Sequence, residues 1–125
     1  TAYPSVILHR IKERGMRAGI ALNFMAGTEL LLPYLNYIDY VLFMTSEPDG
    51  ENQRFCPYIL RKIEDARRLL PQNISVVADG GVSEENMSEV IQKGADTLVM
   101  GRAVWRTGHA GLQLARLYKK ITKGE

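Results

Sequence analysis

The residues best equipped for chemistry sit in two short strings, DGGVSEE at 79–85 and GRA at 101–103. In the first, the carboxylate of Asp79 precedes Gly80 and Gly81, and Ser83 with an acid behind it marks a helix start. Bare backbone N–H groups at such a start favour an anion, and residues without a Cβ let the anion come close. In the second, Gly101 precedes Arg102, whose guanidinium can grip a phosphate with two hydrogen bonds or simply fill the space where one would sit. A plainer reading stands next to this one: Gly80-Gly81 as a tight strand-to-helix turn, and Asp79 as a turn or capping aspartate. Local composition does not separate the two.

The elements that must position these residues are well signalled. Four short aliphatic or β-branched runs, at 17–23, 40–45, 74–79 and 97–101, do not alternate and read as strands buried on both faces. Between them lie stretches of helical spacing: Leu31, Leu32 and Leu35; then Ile59, Leu60, Ile63 and Ala66; then Met87, Val90 and Ile91. Thr28 and Ser83 stand where N-caps belong, and Gly15 and Gly94 where helices end. A leading helix over 3–14 and a closing one over 110–123 complete about four units. Alternation of this kind requires a parallel sheet with right-handed crossovers. The runs end in Asn23, Met44-Thr45, Asp79-Gly80-Gly81 and Gly101-Arg102, so polar and glycine residues gather at the carboxyl ends, the edge that holds the site in parallel α/β proteins.

Bulk properties narrow the function classes. With 125 residues, 46% hydrophobic and 24% charged, the chain reads as one domain over 1–125 with a real core. Its formal charge of +2 comes from interleaved acids and bases, so no basic stripe points to nucleic acid or a membrane surface. One cysteine, Cys56, and no apolar run of spanning length make a reducing, cytoplasmic setting the expectation. His9 and His109 have no partner at ligand spacing and read as surface or capping residues, and Cys56 as a packed free thiol. Trp105 reads as helix-sheet packing, and Arg67-Arg68 and Lys119-Lys120 as solvated helix faces. Thr1 in place of Met, with the short length, suggests residues missing upstream.

Four longer strings carry a family resemblance. IKERGMRAGIALN (11–23) resembles the stretch around the fifth strand of ribulose-phosphate 3-epimerases, DYVLFMTSEP (39–48) their sixth strand, VVADGGV (76–82) their seventh and GADTLVMGRAV (94–104) their eighth. Order and intervals also match, over nearly the whole chain. The resemblance implies an α/β fold, the C-terminal half of a (β/α)8 TIM barrel of the ribulose-phosphate-binding type. It implies metal-dependent epimerisation at C3 of a ketose phosphate, D-ribulose 5-phosphate to D-xylulose 5-phosphate or a related sugar phosphate, with two aspartates as acid and base. Asp79 matches one of them, which in the family also binds the divalent metal (Zn, Fe, Mn or Co). Gly80, Gly81 and Gly101 match phosphate-binding backbone positions, Arg102 stands beside them, and Met44 matches a methionine that packs near the sugar, although a core role suits it equally. Gly50 and Asn52 fall where the family carries a glycine loop over the phosphate.

Three departures accompany the match. Asp49 and Glu51 bring acids to that loop, Arg102 replaces a common small Ser, and Phe24-Met25 replaces a common Pro-Ala. A complete barrel needs about 250 residues, so the second aspartate and two metal-binding histidines implied by the resemblance belong to a missing N-terminal portion. Four parallel strands leave two edges and an open face, which implies a homo-oligomer, pairing with an N-terminal half-barrel, or a flattened doubly wound sheet. Two other readings remain: a non-catalytic phosphosugar-binding or structural barrel fragment, and another phosphate-binding barrel enzyme such as a thiamin-phosphate synthase relative, which does not account for MTSEP.

Overall fold

The computed structural model describes residues 3–47 and 54–123. Along the chain run α1 (Pro4–Glu13), β1 (Gly19–Leu22), a 3-10 helix (Thr28–Tyr34), β2 (Tyr40–Met44), α2 (Ile59–Leu69), β3 (Ser75–Asp79), α3 (Met87–Gln92), β4 (Thr97–Val99), α4 (Arg102–Trp105) and α5 (Ala110–Thr122). The strands form one four-stranded sheet in the order β1-β2-β3-β4, every neighbouring pair parallel. This is the parallel sheet expected from the alternating runs, in the layout of the half-barrel that the resemblance implies. Among the described residues no helix is long and apolar enough to cross a membrane.

The sheet has two unequal faces. Val41, Phe43, Val76 and Ala78 point to the helices and are fully buried, packed against Ile63 and Ala66 of α2 and Met87 and Val90 of α3 in a single core. Alternation sends the intervening side chains to the other face, and the register lines them up in rows. Ala21, Leu42, Val77 and Thr97 form one row, and Met44, Asp79 and Val99 form the row at the carboxyl end. None of these seven is buried. The expectation of strands covered on both faces is thus met on one face only. The uncovered face is the one that lines a barrel when the ring is closed.

Two carboxylates clamp the amino-terminal rim in the same way. Asp39, just before β2, accepts the Ala18 N–H at 2.8 Å and a bond from Lys12 of α1 at 3.2 Å, and its own N–H donates to Ala18 O at 2.7 Å. Asp96, just before β4, accepts the Val76 N–H at 2.8 Å and a bond from Arg67 of α2 at 3.1 Å, and its N–H donates to Val76 O at 2.8 Å. The Ala18 N–H, followed by Lys12, holds the Asp39 carboxyl below its ordinary range. At this rim each carboxylate ties a strand start to the preceding helix.

Several local expectations are corrected. Arg67 is not on a solvated face: its side chain is only 17% exposed, and besides Asp96 it donates to the carbonyls of Pro71 and Ile74. Its partner Arg68 is solvated. Thr28 does not cap an α-helix but begins a 3-10 helix that contains Pro33, whose missing N–H and ring clash oppose α-helical continuation. Ser83 is not the N-cap of α3, a place taken by Asn86; instead the Ser83 carbonyl accepts the Met87 N–H at 2.9 Å across a turn at 84–86. Trp105 is 73% exposed and packs no helix onto the sheet, because α4 is one turn long and points Val104 inward in its place. Gly15 and Gly94 end their helices at positive φ, as the sequence implies.

Candidate functional site

At the carboxyl rim, Asp79, Gly80, Gly81, Val82, Val99, Gly101 and Arg102 line one hollow of about 210 Å³. Both strings singled out in the sequence therefore meet, because β3 and β4 are parallel neighbours and pair Asp79 with Val99. A hollow this small lies below the ~300–1,000 Å³ of pockets that enclose a whole small molecule, and suits a phosphoryl-sized group. Asp79 closes it with negative charge and Arg102 with positive charge. Met44 pairs with Asp79 in the same row, half-buried at the open face. Gly50 and Asn52, with Asp49 and Glu51, lie outside the described residues.

The glycines divide into two kinds. Gly80 (φ +128°) and Gly81 (φ +66°) both adopt backbone conformations that side chains disfavour. A Cβ on Gly80 would strike Ser46, and one on Gly81 would strike the backbone of Phe55. The tight-turn reading thus accounts for both. Gly101 differs: its φ is −77° and an added Cβ would meet nothing within 4 Å among the described residues. Packing within the chain does not call for glycine there, whereas an anion held against the backbone would.

Thr45, just past the end of β2, was not singled out as a site residue, and it organises the rim. It is completely buried, its hydroxyl donates to Gly80 O at 2.5 Å, and its N–H donates to Asp79 O at 2.8 Å. Its carbonyl accepts the Cys56 N–H at 2.8 Å, and next to it Ser46 and Phe55 form an antiparallel bridge. The signal in the sequence was a polar residue ending an apolar run, because a fully buried hydroxyl must find a partner. Asn23, by contrast, spends its side-chain oxygen on its own turn, accepting from Met25 and Ala26 N–H groups at 2.9 and 2.8 Å. Lys62 of α2 reaches Asn23 O at 3.4 Å and lies over the Phe43 ring, and burial holds its ammonium below the usual lysine range.

The wall beyond Gly81 is anchored to α5. Arg116 donates to both oxygens of Glu84 at 2.7 and 2.6 Å, and Lys120 adds a contact at 3.4 Å, so Lys120 is not simply a solvated residue. The Arg116 hydrogen bonds draw the Glu84 carboxyl from 4.5 down to about 2. A carboxyl depressed on folding stabilises the fold above its unfolded pKa and ceases to do so as pH falls through its folded value. The α5 attachment is therefore expected to be complete above pH 4.5 and to weaken between pH 4.5 and about 2. Amide hydrogen exchange across 110–122, measured over that range, should show progressive loss of protection. Arg116→Gln should abolish most of that dependence; an unchanged pH profile in this variant would assign the effect to other carboxylates.

The remaining candidates take no part in the hollow. His9 pairs with Glu13 at 3.0 Å on an exposed face of α1, His109 precedes α5 without a side-chain cap bond, and Cys56 is a half-buried free thiol. Among the described residues no group of three or more His, Cys, Asp or Glu side chains could hold a metal ion. Asp79 offers at most one ligand, which does not make a coordination shell, so the described part of the chain does not by itself fit the divalent ion implied by the resemblance.

With this geometry in view, comparison with known proteins is specific. The model of the ribulose-phosphate 3 epimerase family matches residues 1–105. Ribulose-phosphate 3-epimerase of Buchnera aphidicola is 30% identical over 97% of this chain and 57% of its own length. The enzyme of the same name from Schizosaccharomyces pombe is 33% identical over 95% of this chain and 52% of its own. The chain thus spans about half the length of the curated relatives it matches. In fold, the Amycolatopsis orientalis BexX/CysO complex is similar with a TM-score of 0.68 at 18% identity, over 98% of this chain and 48% of that one.

Proposed function

The chain belongs to the ribulose-phosphate 3-epimerase family, and from that membership we propose that the full-length protein epimerises a ketose phosphate at C3, D-ribulose 5-phosphate to D-xylulose 5-phosphate or a related sugar phosphate. The observation that carries this reading is the meeting of Asp79 with Gly80, Gly81, Gly101 and Arg102 around one rim hollow. Gly101 and Arg102 hold the phosphate there, while Met44 borders the sugar. Anchoring the phosphate sets the distance from it to C3, and so brings that carbon to the Asp79 carboxylate. The proton at C3 is acidic because the neighbouring carbonyl delocalises the charge left behind as an enediolate. Asp79 removes or returns that proton on one face of the sugar, and a second carboxylate, outside this chain, serves the opposite face. Inversion follows when the proton leaves to one group and returns from the other.

The family's divalent ion would require ligands beyond this chain, with Asp79 contributing one oxygen. A cytoplasmic setting follows from the same reading.

The rival reading is a non-catalytic phosphosugar-binding or structural barrel fragment, and it is favoured by Asp79 being the single carboxylate among the described residues that line the hollow. Mixing the full-length protein with D-ribulose 5-phosphate and following D-xylulose 5-phosphate formation separates the two. Turnover supports the epimerase, and saturable binding without turnover supports the rival.

A further inference from the structure

The pairing of β3 with β4 reaches only as far as Asp79 and Val99, so the two strings that line the rim hollow leave the sheet separately. One turns through Gly80 and Gly81 toward Glu84, and the other passes through Gly101 into α4. Beyond the strand tips they are joined by α5. Gln113 Nε2 donates to Ala103 O at 3.1 Å, and Gln113 Oε1 accepts from Arg116 Nε at 3.1 Å. The two Nη atoms of Arg116 then donate to the Glu84 carboxylate at 2.7 and 2.6 Å. These bonds make one unbroken relay from the α4 wall to the wall beyond Gly81, carried by two side chains on one face of α5.

The chemistry of the two side chains makes the relay stiff. A guanidinium is a planar fork, and here all three nitrogens are committed, one to Gln113 and two in a bidentate grip on Glu84. Gln113 spends a donor on a carbonyl and its acceptor on a guanidinium, so only one orientation of its amide satisfies both ends. Burial of Leu117 holds α5 to the core without choosing where either string lies; the relay fixes that choice. An anion held against backbone on two sides needs its walls placed to within about 0.5 Å. We propose that Gln113 and Arg116 are positioning residues of the anion site: through Ala103 and Glu84 they set the separation of its two walls, although neither lines the hollow. The inference rests on the phosphate-binding part of the proposed function and not on its proton transfer.

Inorganic phosphate, titrated into the full-length protein and followed through the Gly81 and Gly101 amide resonances, tests it. Gln113→Leu removes both bonds of the amide at similar size, and Arg116→Lys keeps the cation beside Glu84 but loses the fork. Neither changes the net charge, so the general attraction for an anion stays as it was. Each variant is expected to weaken phosphate binding by about three- to tenfold, the effect of a hydrogen bond lost, while circular dichroism keeps its helical signal. Unchanged affinity in either variant would overturn the proposal, and so would a lost helical signal in either, which would reduce the pair to a role in folding. A wild-type protein that binds no phosphate at these amides would overturn it together with the phosphate assignment of the hollow. Phosphate binding without turnover of D-ribulose 5-phosphate would sink the epimerase reading and leave the relay standing.

Discussion

Asp79→Asn in the full-length protein is expected to lower kcat for C3 epimerisation by about 10²–10⁴-fold, the usual contribution of a positioned acid/base group. Asn has nearly the same shape, so the rim hollow and its glycines should persist and KM should change little. What is lost is the ability to accept and return a proton. Exchange with deuterated solvent gives the sharper readout: the carboxylate outside this chain still has access to C3 from its own face, so residual exchange without inversion should survive. Unchanged turnover in the variant would remove Asp79 from the reaction.

Gly81→Ala is expected to destabilise the fold by about 3 kcal/mol. A non-glycine residue at its φ of +66° costs roughly 1–2 kcal/mol, and the new methyl group would press on the Phe55 backbone, with overpacking adding roughly 1–3 kcal/mol. Urea unfolding would measure it. Gly101→Ala is the informative contrast. Its backbone is unstrained and its Cβ meets open space, so stability should stay within about 0.5 kcal/mol while phosphate affinity falls. A large stability loss at Gly101, or none at Gly81, would contradict the division of the glycines into those the fold requires and the one a ligand requires.

Much of this was legible in the sequence because parallel strands advertise themselves. Short runs such as VVAD and YVLFM are apolar without alternating, and glycines at the helix ends fixed where each unit stopped. The placement of Asp79, Gly80, Gly81, Gly101 and Arg102 around one hollow followed from strand order alone. The misreadings lie where long-range geometry decides. Arg67 reads as a surface charge until Asp96 and the carbonyls of Pro71 and Ile74 are brought to it. Trp105 reads as helix-sheet packing because a large aromatic ring suits that place, yet it stands exposed beside the edge strand β4. Ser83 has the right type for an N-cap, but Gly80 and Gly81 send the chain through a further turn before α3 begins. Thr45 offered only the signal of a polar residue ending an apolar run, because its role depends on the Gly80 carbonyl, just past the end of β3.

The Asp79 rim hollow is expected to receive the phosphate of the substrate. A titration of the isotopically labelled protein with D-ribulose 5-phosphate, followed through backbone amide resonances, addresses it most directly. Saturable shifts concentrated at Gly80, Gly81, Gly101 and Arg102, weakened by Gly101→Ala, are the result expected. Shifts absent from these amides, or scattered over the lysines and arginines of α1 and α5, would contradict it.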